Sequence, residues 1–141
     1  MNQHTSARPS LAFVGASWGA MIVGIAAYLI GLWSAQMQLD EKGYYLTVLL
    51  YGCFAAVSLQ KTVRDRAEGL PVTGMYVGLC WMSLVTALGL LTVGLWNATL
   101  MPSEKGFYAM SFVLTLFAIV AVQKNVRDLA VADDVPAAQQ A

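Results

Sequence analysis

The chain has 141 residues, of which 58% are hydrophobic and only 11% charged, and its mean hydropathy is +0.62. A soluble domain carries about 25% charged residues, so this composition assigns the chain to a lipid bilayer. Eight basic and eight acidic residues cancel, leaving no basic surface for nucleic acid.

Residues 1–10 are polar, with His4, Arg8 and Pro9, and read as a mobile N-terminal tail. The apolar run Leu11 to Trp33 follows. It is roughly 23 residues long, beyond the apolar part of a secretory signal, and reaches roughly 34 Å as a helix, enough to cross a hydrocarbon core. The helix is expected to end within Gln36 to Asp40. Asp40 and Ser103 are expected N-caps of the second and fourth helices, with Glu41 and Glu104 in the first turns facing the positive helix end. The short turns predict antiparallel neighbours within each pair. The apolar runs Tyr44 to Leu59 and Phe107 to Val122 are only about 16 residues each, short for a span. Lys42 and Lys105 on one side, and Lys61 and Lys124 on the other, extend their reach by snorkelling, while Tyr44, Tyr45 and Tyr108 suit an interface belt. Gly69 and Pro71 break the chain between Ala67 and Gly74. A third helix is predicted from about Met75 to Asn97, and residues 131–141 read as a disordered tail.

The pattern occurs twice. Gly31-Leu32-Trp33, Glu41-Lys42-Gly43-Tyr44-Tyr45 and Gln60-Lys61-Thr62-Val63-Arg64-Asp65 return in order as Gly94-Leu95-Trp96, Glu104-Lys105-Gly106-Phe107-Tyr108 and Gln123-Lys124-Asn125-Val126-Arg127-Asp128. Phe13 to Ala67 aligns without gaps on Tyr76 to Ala130, with roughly 20 identities over about 55 positions. The predicted fold is an all-α membrane protein of four transmembrane helices, built from two tandem two-helix hairpins at 11–67 and 75–130 joined by a linker at 68–74. Two spans separate the copies, so the repeats are parallel and their relating axis lies along the membrane normal. Arg8, Lys61, Arg64, Arg66, Lys124 and Arg127 fall on one side against Lys42 and Lys105 on the other. The positive-inside rule then puts both termini and the linker in the cytoplasm.

Lys61, Arg64, Lys124 and Arg127 are candidate contacts for anionic lipid or a protein partner. The alternative is that they complement the helix ends and set orientation, with Asp65 and Asp128 partly neutralising them. The Glu-Lys-Gly turns read first as caps, and Trp18, Trp33, Trp81 and Trp96 as packing or lipid-contact groups. A stripe of small residues runs down both odd-numbered helices: Ser17, Ala20, Gly24, Gly31 and Ala35 match Cys80, Ser83, Ala87, Gly94 and Ala98. Their spacing keeps to one helical face, and lipid tails supply little drive for helix association beyond close packing. The stripe is therefore expected to be the seam along which the first and third helices meet.

The three paired boxes closely resemble the YiaA/YiaB inner-membrane protein family, built on the YiaAB two-helix domain, and the tandem form is similar to its YiaA branch. The resemblance implies a bacterial inner-membrane protein with four helices, and carries over no functional residues.

No Asp, Glu, His, Lys or Arg lies inside any of the four apolar runs, and the single histidine, His4, is in the tail. Proton relays and ion pathways need such groups at membrane depth, and no catalytic or metal constellation can be assembled there. Cys53 and Cys80 lie in apolar runs and read as small hydrophobes. The expectation is a non-enzyme with no cofactor, associating with membrane lipids and with a second copy or another membrane protein, as a scaffold or accessory subunit. The alternative is an oligomeric transporter or pore, with Thr47, Ser58, Ser111 and Thr115 as its weakly polar lining.

Overall fold

A computed structural model describes residues 8–139, with side chains as far as Asp134. Four helices account for nearly all of it: α1 (Leu11–Ser34), α2 (Leu39–Ala67), α3 (Gly74–Asn97) and α4 (Pro102–Gln139). All four are long and apolar enough to cross a membrane. The expected mobile tail lies outside the described residues except for Arg8, Pro9 and Ser10.

Local sequence explains the helix boundaries. Ser10 and Thr73 cap α1 and α3 by accepting from the amides of Phe13 and Tyr76. Helix α2 begins at Leu39, so Gln38 is its N-cap in place of Asp40. Helix α4 begins at Pro102, a residue before the expected cap Ser103. The reason is the same in both: Glu41 and Glu104 reach back 2.9 Å to the amides of Gln38 and Met101, which fixes the start earlier, and Pro102 suits the first helical position. Gly69, at φ 77, closes α2. Its amide and that of Leu70 bond back to the carbonyls of Arg66 and Asp65, the paired bonds of a left-handed helix stop. Helix α4 does not end after Arg127 but continues through the expected disordered tail to Gln139. Leu129, Ala130, Val131 and Ala132 contain no glycine and extend a helix already anchored in the bundle.

The helices do not pair as two separate hairpins. Helix α1 packs chiefly on α4 and α3 chiefly on α2, while α2 and α4 meet at the centre; α1 touches its own hairpin partner α2 only lightly. Each repeat thus lends its first helix to the other, which corrects the expectation that short turns make paired helices the main neighbours. Helices α2 and α4 are parallel: Tyr45 stacks on Tyr108 near one end, and Arg64 pairs with Asp128 near the other. The result is a parallel repeat with α2 and α4 straddling the pseudo-two-fold axis and α1 and α3 flanking them. The core is aromatic, with Tyr28, Tyr45, Tyr108 and Phe112 closed among Leu32, Val48, Leu49, Leu91, Leu95 and Leu116.

The small-residue stripe is a packing face. All ten of its residues are buried or half-buried, whereas Ile30 and Val93, off the stripe, are 66% and 59% exposed. Its partner differs from expectation, since α1 and α3 are not held together along it. Gly24 lies so close to Thr115 of α4 that a Cβ would come 2.5 Å from its hydroxyl oxygen and 3.1 Å from its backbone nitrogen. A Cβ on Gly31 would meet Phe107 of α4, and one on Gly94 would meet Tyr44 of α2. The stripe admits the bulky second helix of the other repeat; two small faces packed together would leave nothing to fill the space between them.

Candidate functional site

At the end carrying the linker, the two basic boxes converge across the pseudo-two-fold axis. Arg64 pairs with Asp128 of the other repeat, and Arg127 reciprocates at 3.1 Å from Asp65. Within each helix Lys61 sits 2.7 Å from Asp65 and Lys124 sits 2.7 Å from Asp128. Glu68, just past α2, holds Arg127 at 2.6 Å and Arg64 at 3.3 Å. All four candidate lipid-contact cations are therefore engaged with three carboxylates of the chain itself. The cross-repeat pairs and the role of Glu68 are what sequence reasoning missed. The equal placing of Arg and Asp in both boxes was the available signal, because a two-fold axis turns such a pair into a reciprocal one.

Beneath this network each repeat has one polar contact at the same register. Asn125 donates to the Ser17 hydroxyl at 3.1 Å, and Thr62 lies 3.7 Å from the Cys80 sulfur. Cys53 and Cys80 are free thiols. The proposed pore-lining hydroxyls do not form a polar interior. Thr115 and Ser111 are buried and bond to carbonyls of their own helix, Thr47 is exposed on the outside of α2, and Ser58 is half-buried. No three His, Cys, Asp or Glu side chains among the described residues converge as a metal-binding group.

The opposite end, where the Glu-Lys-Gly turns lie, holds a cleft of about 570 Å³. Asp40, Glu41 and Glu104 line it together with Tyr44, Tyr45, Gly94, Asn97, Met37 and Leu100. Lys42 and Lys105 do not neutralise these carboxylates; they turn to the carbonyls of Trp33 and Trp96 at 3.0 and 3.5 Å, satisfying the ends of α1 and α3. A smaller, pseudo-symmetric cleft of about 310 Å³ contains Gly31, Ser103, Glu104, Phe107 and Tyr108.

The yiaA/B two-helix domain model matches the chain twice, over residues 13–65 and 76–128. The chain belongs to this family. The two YiaAB matches fall on α1 with α2 and on α3 with α4. Among curated relatives, the inner membrane protein YiaA of Escherichia coli (strain K12) is 57% identical over 119 residues, spanning 84% of this chain and 82% of that protein. The inner membrane protein YiaB of the same organism is 32% identical over 97 residues, 68% of this chain and 81% of that one. The uncharacterized membrane protein YubF of Bacillus subtilis (strain 168) is 36% identical over 62 residues, 43% of this chain and 71% of its own length. No solved structure matches the chain. This member of the YiaAB family is an integral membrane protein of tandem two-helix repeats.

Proposed function

We propose that the protein works in the inner membrane by helix-mediated association, as a scaffold or accessory subunit, and carries out no chemistry of its own. The observation behind this reading is the closed centre: Tyr28, Phe112 and Thr115 are fully buried, in apolar runs without a single Asp, Glu, His, Lys or Arg. Solute passage through one chain needs a polar path, and here the Ser111 and Thr115 hydroxyls are spent on their own helix and the Tyr28 hydroxyl on the Tyr45 carbonyl of α2. Native mass spectrometry after gentle extraction tests the proposal. A second copy or another membrane protein retained on the chain is expected. Solute flux through the purified protein in liposomes would favour the oligomeric transporter or pore instead, and a bare monomer without flux would contradict both readings.

A cytoplasmic location of both termini and the linker is part of this reading, supported by the excess of basic residues on that side, and the relatives are described as inner membrane proteins. With Cys53→Ala and Cys80→Ala as background, Lys42→Cys and Lys105→Cys are expected to react with an impermeant thiol reagent on spheroplasts, and Arg66→Cys to be protected. The reverse pattern overturns this orientation.

A further inference from the structure

Helices α3 and α4 leave an apolar groove of about 580 Å³ between them, with Leu91, Thr92, Leu95 and Trp96 on one wall and Lys105 and Ala109 on the other. The groove follows from the exchange of first helices: α3 leans on α2, and touches its own hairpin partner α4 even less than α1 touches α2. The two repeats differ at the places that would close it. In repeat 1, Tyr28, Leu29 and Leu46 stand where repeat 2 has Leu91, Thr92 and Ala109. Tyr28 also donates to the Tyr45 carbonyl at 2.8 Å, tying α1 to α2, and Leu91 has no hydroxyl with which to tie α3 to α4. Smaller side chains and a missing tie leave the space open. The Thr92 hydroxyl is spent on the Leu88 carbonyl of its own helix, so the wall below the rim is apolar. At the rim, Trp96 is 83% exposed near the end of α3, where indoles suit the membrane interface. Lys105 is half-buried and forms no ion pair among the described residues. Its ammonium reaches only the neutral Trp96 carbonyl, at 3.5 Å, so its charge has no counterion in the chain.

From this we infer that the groove between α3 and α4 binds one anionic glycerophospholipid, its phosphate on the Lys105 ammonium and an acyl chain along Leu91, Leu95 and Ala109. The volume is in the range of small-molecule sites. A concave apolar wall that ends in one cation without a counterion matches a lipid's chain and phosphate in their order along the molecule, and the Trp96 indole N–H is a further donor at headgroup depth. A helix of a second copy would cover the wall and leave Lys105 without a counterion. The cations of the linker end are a different case, since Asp65, Glu68 and Asp128 already hold them.

Native mass spectrometry of the full chain in a nonionic detergent, titrated with phosphatidylglycerol or with phosphatidylcholine of the same acyl chains, tests this. One phosphatidylglycerol is expected to stay bound at concentrations where phosphatidylcholine does not. Ala109→Leu puts the repeat 1 residue into repeat 2 and fills the groove, and is expected to release that lipid with the lipid-free melting temperature unchanged. Lys105→Gln leaves the groove open and is expected to lower the affinity for phosphatidylglycerol about fivefold, the worth of one cation beside an anionic lipid, with phosphatidylcholine unaffected. Equal retention of the two lipids, phosphatidylglycerol binding undiminished in either variant, or a dimer in place of bound lipid that Ala109→Leu dissociates overturns the assignment.

Discussion

Single glycines decide how closely the helices approach. At Gly24 a methyl group would press on the backbone of Thr115 as well as on its side chain, and backbone cannot swing aside as a side-chain end can. Gly24→Ala is therefore expected to destabilise the protein by about 1–3 kcal/mol, the usual cost of overpacking. Gly19, in the same helix, has nothing within 4 Å of its Cβ position, so Gly19→Ala is expected to leave the melting temperature unchanged or raise it. Thermal unfolding in detergent checks the pair, and equal losses at both positions contradict the packing described. The stripe containing Gly24 was legible in the sequence because its spacing follows one helical face. Its partner was not, since a pattern of small residues shows that something approaches closely without saying which helix does.

Among the elements, α2 and α4 carry the contacts that tie one repeat to the other. Their boxes were visible as repeats of Gln-Lys-x-Val-Arg-Asp, and an orienting role followed from charge alone. The reciprocal pairing required the axis to pass between α2 and α4, and it does so only because α1 and α3 are displaced to the flanks. Arg64 and Asp128 retain 22% and 20% side-chain exposure, so the pair is partly shielded from solvent and screened less than a surface bridge. A double-mutant cycle on Arg64→Gln and Asp128→Asn, read by thermal unfolding, is expected to give a coupling of about 0.5–1 kcal/mol that shrinks with added salt. Zero coupling at low salt would mean that the network does not join the repeats. The helix boundaries show the same division between local and distant signals. Pro102, Gly69 and the Glu41 and Glu104 caps act within a few residues and place the ends to within a residue or two, whereas the continuation of α4 past Arg127 runs against the polar composition of the tail.

For the whole molecule, the central claim is that two tandem hairpins exchange their first helices. The four spans, the duplication and the parallel relation of the copies could all be read from hydropathy and the repeated boxes. The exchange could not, because short turns permit a hairpin to open as readily as to close, and the choice rests on how Tyr28, Tyr45, Tyr108 and Phe112 fill the centre. The most direct measurement uses a native thiol. Cys80 of α3 lies 3.7 Å from the Thr62 hydroxyl of α2, so Thr62→Cys in a Cys53→Ala background places a second thiol beside it across the repeat boundary. Mild oxidation in native membranes, followed by peptide mass spectrometry, is expected to yield an intramolecular disulfide to Cys80. The parallel variant, Ala20→Cys with Ser83→Cys in a background without native thiols, is expected to yield none, because α1 and α3 lie on opposite flanks. A disulfide between α1 and α3 in that variant, with none forming between Thr62→Cys and Cys80, would contradict the exchanged arrangement.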